Sequence, residues 1–429
     1  MLKMRKMKAS GIEWIGEIPE GWETINPKAL FIQRKDRASK GERQLTSSQQ
    51  YGILYQDEYM ELTGSKVVTV EKDFNILKHV EAGDFVISMR SFQGGLEYST
   101  KSGAISSAYV MLVPNLELVY PRFYRWLLKS SVYIDALQRT TNMVRDGQAM
   151  RYSNFAQVRL FTLPLDEQKS RADFLDLECS SIDKILFKTR SSIEEYKKLK
   201  QAVITQAVTK GVRGKREMKD SGVEWTGEIP REWNKCKLKN ISIDIGDGLH
   251  GTPKFDDSGE VYFINGNNFS SEYVEPKFDT KKLCLEESLN YPKPELTEQT
   301  IMISLNGSYG KVCLYRYFPM LLGKSAGYIT LLPSINRRYV RYYLSNTPAQ
   351  IIMTLSLNGT TIPNLSLNTL YNFPTILPPA SEQAEIADYL DAKCAEIDGL
   401  IAKKEQLVKE LESYKKSLIY EVVTGKREV

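Results

Sequence analysis

Histidine is nearly absent from this 429-residue chain: His79 and His250 are the only two. A histidine-rich metal site is thereby excluded, and any histidine-based catalysis would rest on one of these two. Cysteine is sparse as well. Cys179, Cys236, Cys284, Cys313 and Cys394 are odd in number and widely spread, with no C-x-x-C pair. That pattern argues against a disulfide framework or a structural zinc site, and for a cytosolic (cytoplasmic) setting. No apolar run approaches the roughly 18–20 residues of a membrane span, and the basic start MLKMRKMKAS lacks the apolar core of a signal peptide. A large excess of one charge is also missing. With 58 Lys and Arg against 53 Asp and Glu, the net charge is +5, which allows a nucleic-acid partner without demanding one. The composition, 42% hydrophobic and 26% charged, is that of a folded protein. The length predicts two to three domains.

What is present is a repeat. MKASGIEWIGEIPEGW (Met7–Trp22) returns as MKDSGVEWTGEIPREW (Met218–Trp233), 211 residues later, with four of the five tryptophans in the two copies. Deeper in each half, Leu163-Pro164-Leu165-Asp166-Glu167-Gln168 matches Leu377-Pro378-Pro379-Ala380-Ser381-Glu382-Gln383 with one inserted residue. From there the spacing is 215 residues, pairing Leu175-Asp176 with Leu390-Asp391, Cys179 with Cys394 and Ile182-Asp183 with Ile397-Asp398. The two thiols read as a repeated small buried residue. Gly425-Lys426-Arg427-Glu428 matches Gly214-Lys215-Arg216-Glu217, so the halves read head-to-tail around a circle.

Each proline is followed by a long stretch built for a helix. Leu165 to Lys210 holds no Gly or Pro, and Ala380 to Thr424 only Gly399. Asp166 and Ser381 are expected as N-caps, Gly211 and Gly425 as stops. Steps of seven pick out Leu175, Ile182, Thr189, Tyr196 and Val203 in one half, and Leu390, Ile397, Lys404, Leu411 and Leu418 in the other. This is coiled-coil periodicity with a polar interruption at the same place, which either fixes register or marks a solvent-facing turn. About 42 residues at ~1.5 Å each predict a rod of roughly 60 Å.

Between the repeats, two divergent stretches carry short strands and polar glycine-containing loops. Catalytic motifs are not convincing in either. Gly246-Asp247-Gly248-Leu249-His250-Gly251 fits G-x-G-x-x-G after a strand-like run, yet Thr252-Pro253-Lys254 does not open a helix to receive a pyrophosphate. Gly323-Lys324-Ser325 resembles the tail of a phosphate loop whose first glycine is missing, and Glu195-Tyr196-Lys197 falls within a long helix. The loops instead offer residues suited to reading DNA: Gln49 and Gln50; Arg90, Ser91 and Gln93; Arg145 and Gln148; Asn267 and Asn268; Asn306, Ser308 and Tyr309. Arg pairs bidentately with guanine, Asn and Gln with adenine.

The two SG(I/V)EW-x-GEIP segments, the paired proline–Glu–Gln helix entries and the string GDGLHGTPKF (Gly246–Phe255) resemble the specificity subunit of type I DNA restriction–modification systems. The resemblance spans the whole chain. It implies an α+β fold with two target recognition domains, residues 1–164 and 213–378, and two long helices, 165–212 and 379–429. The helices would form an antiparallel coiled coil related by a pseudo-twofold internal repeat. It further implies a non-enzymatic subunit without cofactors of its own, and adds His250 and Lys254 to the DNA-contacting candidates. The chain would read a bipartite site in double-stranded DNA. Its partners would be the methylation subunits, two in number, and the restriction subunits, with S-adenosylmethionine and ATP chemistry belonging to those partners. A different expectation, an enzyme with an unusual site near His250, and a third, a pure coiled-coil scaffold, are the competing readings.

Overall fold

In the computed structural model, residues 5–48, 50–70, 74–88, 96–140, 151–357 and 363–429 are described. The chain divides into two units, Met1–Arg190 with Gln406–Val429, and Ser191–Glu405.

The first unit is built on strands β1 (Phe31–Arg34), β2 (Phe85–Ser88), β3 (Glu97–Tyr98) and β4 (Tyr109–Pro114), in the spatial order β1-β4-β2-β3. All pairs are antiparallel, with Met111 opposite Arg34 on one side and Val86 on the other. The pleat sends alternate side chains to opposite faces. Phe85, Ile87, Val110 and Leu112 enter the main core with Trp22, Phe123 and Tyr124. Val86 and Met111 point the other way, to a smaller core with Leu45 and Ile53. Helix α1 (Pro121–Leu128) follows, then α2 (Leu165–Lys210).

The second unit repeats this plan with β5 (Ser242–Asp247), β6 (Thr300–Ser304), β7 (Val312–Leu314) and β8 (Ala326–Leu331), ordered β5-β8-β6-β7 and again antiparallel. β6 and β8 are buried on both faces, which explains their nearly continuous apolar sequence. Ile301, Ile303, Ile329 and Leu331 join Trp233, Tyr339 and Tyr343 in one core, while Met302 and Tyr328 join Ile264 and Phe269 in another. Helix α3 (Arg337–Ser345) and helix α4 (Ala380–Val423) correspond to α1 and α2.

More of the frame is shared than the divergent sequence suggested. Beyond the identical sheet order, each repeated motif forms a hairpin, with Met7 opposite Pro19 and Met218 opposite Pro230. Each unit also pairs a strand after the motif with one just before the long helix, Thr24 opposite Phe161 and Lys235 opposite Ile376. The additions are what differ. The first unit carries a hairpin (Leu45–Ser48 with Gly52–Tyr55), the second a three-stranded sheet (Val261–Ile264, Lys282–Leu283, Met320–Leu322).

In each unit the long helices run antiparallel. Asp183 pairs with Lys415 and Arg190 with Glu412 in the first, Lys200 with Asp398 in the second. Leu175, Ile182, Leu390, Ile397 and Leu418 are buried at the expected seam positions. The polar interruption is resolved differently on the two helices. Thr189 is buried with its hydroxyl donating to the Ile185 carbonyl at 2.8 Å, whereas half-buried Lys404 lies 5.7 Å from the Tyr196 ring centre. Cys179 and Cys394 are free and buried, and burial pushes the Cys179 thiol up to about 11. Gly211 and Gly425 end the helices with φ of 79° and 75°. The expected caps are corrected. Asp166 and Ser381 lie inside the first turn, because the carbonyls of Pro164 and Pro379 already accept from Gln168 and from Glu382 and Gln383. Among the described residues, no helix is long and apolar enough to cross a membrane.

Candidate nucleic-acid interface

The repeated motifs build the frame and leave the loops to do something else. The Ser10 hydroxyl accepts from the Ile12 amide at 2.9 Å, and Ser221 does the same for Val223 at 3.0 Å, closing the turn before each tryptophan pair. In the helix entries, Gln168 accepts from the Tyr120 amide at 2.7 Å and donates to the Leu118 and Leu163 carbonyls at 2.8 Å. Gln383 accepts from Asn336 and donates to Pro378, both at 2.9 Å. These glutamines satisfy the open backbone groups where α1 and α3 begin.

In the second unit, β5 and β6 finish and β8 starts at the same end of the sheet, with Asp247 opposite Gly327 and Ser304 opposite Ala326. Four loops are stitched together there. Leu249 donates to the Leu322 carbonyl at 2.7 Å, Gly323 to Ile264 at 2.8 Å, and Leu305 to Ser325 at 3.0 Å. The glycines of Gly246-Asp247-Gly248 serve this packing. A Cβ at Gly246 would stand 2.4 Å from the Tyr328 hydroxyl, and one at Gly248 would stand 2.3 Å from the Leu322 backbone. The dinucleotide-like spacing therefore has a steric cause.

The stitched loops display His250, whose side chain is 61% exposed and whose Nε2 lies 2.8 Å from Asp247 Oδ2. Beside it opens a cleft of about 460 Å³ lined by Thr252, Phe255, Phe263, Asn265, Asn267 and Lys281, among others. Phe255 and Phe263 meet edge-to-face at 5.3 Å, and the Lys281 ammonium sits 4.6 Å from the Phe255 ring centre. Asn267 is exposed and makes no side-chain hydrogen bond among the described residues. Asn268 is different: only 5% exposed, it donates to Thr280 Oγ1 at 2.8 Å and accepts from the Asn265 amide at 3.0 Å. Its amide supports the loop and is not presented outward.

The remaining sequence candidates divide between this end and the undescribed segments. Lys254 is exposed with its amide donating to Glu287 Oε1 at 3.0 Å. Asn306, Ser308 and Tyr309 form the β6–β7 loop, in which Ser304 Oγ donates to the Ser308 carbonyl at 2.6 Å and the half-buried Tyr309 hydroxyl reaches Thr354 Oγ1 at 3.4 Å. In the first unit Gln50 is exposed at the tip of the hairpin whose two strands are Leu45–Ser48 and Gly52–Tyr55. Gln49, Arg90, Ser91, Gln93, Arg145 and Gln148 lie outside the described residues. Arg34, at the place where the second unit has its glycine loop, is committed to Asp84 at 2.6 Å.

Sequence reasoning passed over a set of cations. Lys277, Lys281, Lys311 and Lys324 are exposed on or beside the same loops as Lys254, and none of the five forms an ion pair among the described residues. Lys324 belongs to the string dismissed as a broken phosphate loop; the packing of its neighbours Gly323 and Ser325, which leaves it exposed, is a product of the fold and gave no signal in the sequence. An unpaired cluster of ammonium groups around amides, a histidine and an aromatic edge suits a polyanion that also presents bases.

Residues 230–410 match the family described as the type I restriction modification DNA specificity domain. The chain is 26% identical over 423 residues to the type I restriction enzyme MjaVIII specificity subunit of Methanocaldococcus jannaschii, covering 95% of this chain and 93% of the relative. It is 24% identical to the putative MjaX specificity subunit of the same organism, covering 96% and 95%. Among solved structures it superposes with a TM-score of 0.74 on a chain from work on complex assembly and conformational transition of the type I R-M system, at 15% identity and coverage of 96% and 99%. The HsdS subunit from Thermoanaerobacter tengcongensis gives a TM-score of 0.53, 15% identity and coverage of 96% and 98%. At such identities the structural likeness is one of fold.

Proposed function

We propose that this chain, which belongs to the type I restriction–modification specificity-subunit family, is the non-catalytic DNA-recognition subunit that reads a bipartite duplex site and directs methylation and restriction subunits to it. The observation that carries this reading is one frame built twice, with the same strand order in each unit and different additions, a hairpin in the first and a three-stranded sheet in the second. A shared frame holds two readers in equivalent settings, and unlike loops give them unlike targets. Residues 1–164 and 213–378 would be the two recognition domains, with 165–212 and 379–429 as the helices between them. A cytoplasmic location follows from the same role.

Within the second domain, the base-reading groups are assigned to His250, Asn267, Asn306 and Ser308, and the phosphate-positioning groups to Lys254, Lys277, Lys281, Lys311 and Lys324. Half-buried Tyr309 belongs to the same loop and is a further contact candidate. In the first domain Gln49, Gln50, Arg90, Ser91, Gln93, Arg145 and Gln148 take the reading role. Nothing favours the enzyme reading near His250, whose side-chain partner among the described residues is Asp247, three residues away.

The test is an exchange. Residues 234–378 are replaced by the matching stretch of a relative, and methylated sites are mapped in cells that also supply the methylation subunits. One half-site should change and the other stay. Simultaneous change of both half-sites would refute independent reading.

A further inference from the structure

The two long helices carry matching residues along most of their seam, but their charges differ at the centre. At the repeat spacing of 215 residues, Asp183 corresponds to Asp398 and Lys200 to Lys415. These four make the same ion pair twice: Lys415 Nζ to Asp183 at 2.6 Å in the first unit, Lys200 Nζ to Asp398 at 2.6 Å in the second. Such a pair would form equally well between two copies of one helix, as in any isologous contact.

The positions between them would not. On α2 the series is Arg190, Glu194, Lys197; the equivalent residues of α4 are Glu405, Lys409, Glu412. Every sign is reversed. In the first unit Arg190 is ion-paired to Glu412. In the second, Lys197 has its pKa raised by its own-helix neighbour Glu194 and, across the seam, by Glu405. Arg190 and Lys197 thus each find an attractive charge on α4, while Glu194 pairs with Lys197 on its own helix.

We propose that this reversed triplet selects the helix partner, favouring α2 against α4 and rejecting α2 against a second α2, or α4 against a second α4. In an antiparallel pair of two α2 helices in this register, Arg190 of one copy would face Lys197 of the other, and Glu194 would face its own counterpart. Two α4 helices would set Glu405 against Glu412 and Lys409 against itself. The seam adds to the preference. Lys404 rests beside the Tyr196 ring, and in an α4–α4 pair its neighbour at that position would be Leu411. Each exposed ion pair counts for little, but selectivity is a difference, and the attractions of Arg190 to Glu412 and of Lys197 to Glu405 become repulsions in the like pairs. Summed over the triplet, a preference of roughly tenfold or more is expected. The partner that fits α2 is a helix with an acid–base–acid series, whether from this chain or from another protein of the same build. The device keeps one copy of each unlike domain together.

The test uses the full-length chain. One variant, Arg190→Glu with Glu194→Lys and Lys197→Glu, gives both helices the α4 series. A second, Glu405→Arg with Lys409→Glu and Glu412→Lys, gives both the α2 series. The six-fold combination exchanges the series and restores complementarity. Masses are read by native mass spectrometry for each chain and for the two triple variants produced together. The expected result is a one-to-one heterodimer of the two triple variants, enriched about tenfold over either homodimer, with the six-fold variant having the same mass as the unaltered chain. A mixture at the statistical ratio, or one without dimers, would overturn the proposal. If a triple variant does not fold alone, recovery on production with the other supports it, and failure to recover while the six-fold variant folds overturns it. A six-fold variant that does not fold overturns it too, because those positions would then do more than carry charge. No DNA enters the measurement, so this outcome and that of the half-site exchange are independent.

Discussion

The indole Nε1 of Trp233 donates to Glu382 Oε2 at 2.9 Å, and neither side chain is exposed to solvent. Arg216 completes the arrangement, donating to the other carboxylate oxygen at 2.5 Å and lying over the Trp233 ring at 5.3 Å. The first unit repeats it with Trp22 and Glu167 at 3.1 Å, joined by Arg5 and Arg171. The second tryptophan of each copy is thus tied to the glutamate of the following helix entry, which is why the two motifs recur together. Replacing Glu382 by Ala leaves the buried Trp233 indole donor without its acceptor and takes one of two carboxylates from half-buried Arg216, which keeps Glu232 at 2.9 Å. The expected loss is about 1–3 kcal/mol, read by urea unfolding. Trp233→Phe should cost less through this contact, since Glu382 keeps its arginine.

Glu167 supplies a pH signature. Burial pushes its carboxyl upward, but hydrogen bonds from Arg5 and Arg171 outweigh that and hold it down at about 2, below the usual 4.5. A group depressed in the folded state stabilises fully above its unfolded value and loses that contribution as pH falls toward its folded one. Unfolding followed between pH 4.5 and 2 should therefore show a steep acid loss in the unaltered chain. In Glu167→Gln the slope over that window should be shallower, with lower stability at neutral pH because buried Arg171 has lost its carboxylate and keeps only the Val422 and Arg427 carbonyls. Equal slopes would remove Glu167 from the acid limb.

The double frame was legible because its contacts join residues that themselves repeat: Trp with Glu, Asp183 with Lys415 and Asp398 with Lys200. The seam was legible from its seven-residue period. The common sheet was visible only in part, since β-strands tolerate many apolar substitutions so long as alternation persists, and Val86 can stand where the other unit has Met302. Reading loops were the hardest. Asn267 and Asn268 are chemically identical neighbours, yet one faces solvent and the other is buried under Thr280, a distinction set by tertiary contacts far along the chain. The exposed lysines of these loops, of which Lys277 and Lys281 line the cleft, come from separate segments and carry no local pattern.

Two glycines should respond oppositely to alanine. Gly399 lies within α4 with nothing near the place of a Cβ, so Gly399→Ala should stabilise by roughly 0.5–1 kcal/mol through helix propensity alone. Gly425 has φ of 75° and a Cβ there would stand 2.5 Å from Pro19 Cγ and 2.9 Å from the Trp22 ring. Left-handed backbone costs an alanine about 1–2 kcal/mol before any clash. Thermal unfolding of the two single variants should move in opposite directions, and a parallel shift would contradict these placements.

The division of labour at the cleft can be measured by separating salt dependence from sequence preference. Lys281 is assigned to the phosphate backbone, so Lys281→Ala, assembled with the methylation subunits, should weaken binding to cognate and non-cognate duplexes alike. It should also flatten the log–log salt slope by about one unit. Asn267 presents a free amide able to pair with an adenine edge, so Asn267→Ala should leave the salt slope intact and relax preference at a single position of the second half-site. Loss of one bidentate contact is worth about 1–3 kcal/mol of discrimination. Asn268→Ala serves as the contrast: its buried amide spans the Asn265 and Thr280 segments at 3.0 and 2.8 Å, so it should lower stability and blur the whole half-site. Titration of a complete set of single-base variants of the site, at two salt concentrations, distinguishes these outcomes. If Asn267→Ala kept its full preference at every position while Lys281→Ala changed it at one, the two roles would be reversed.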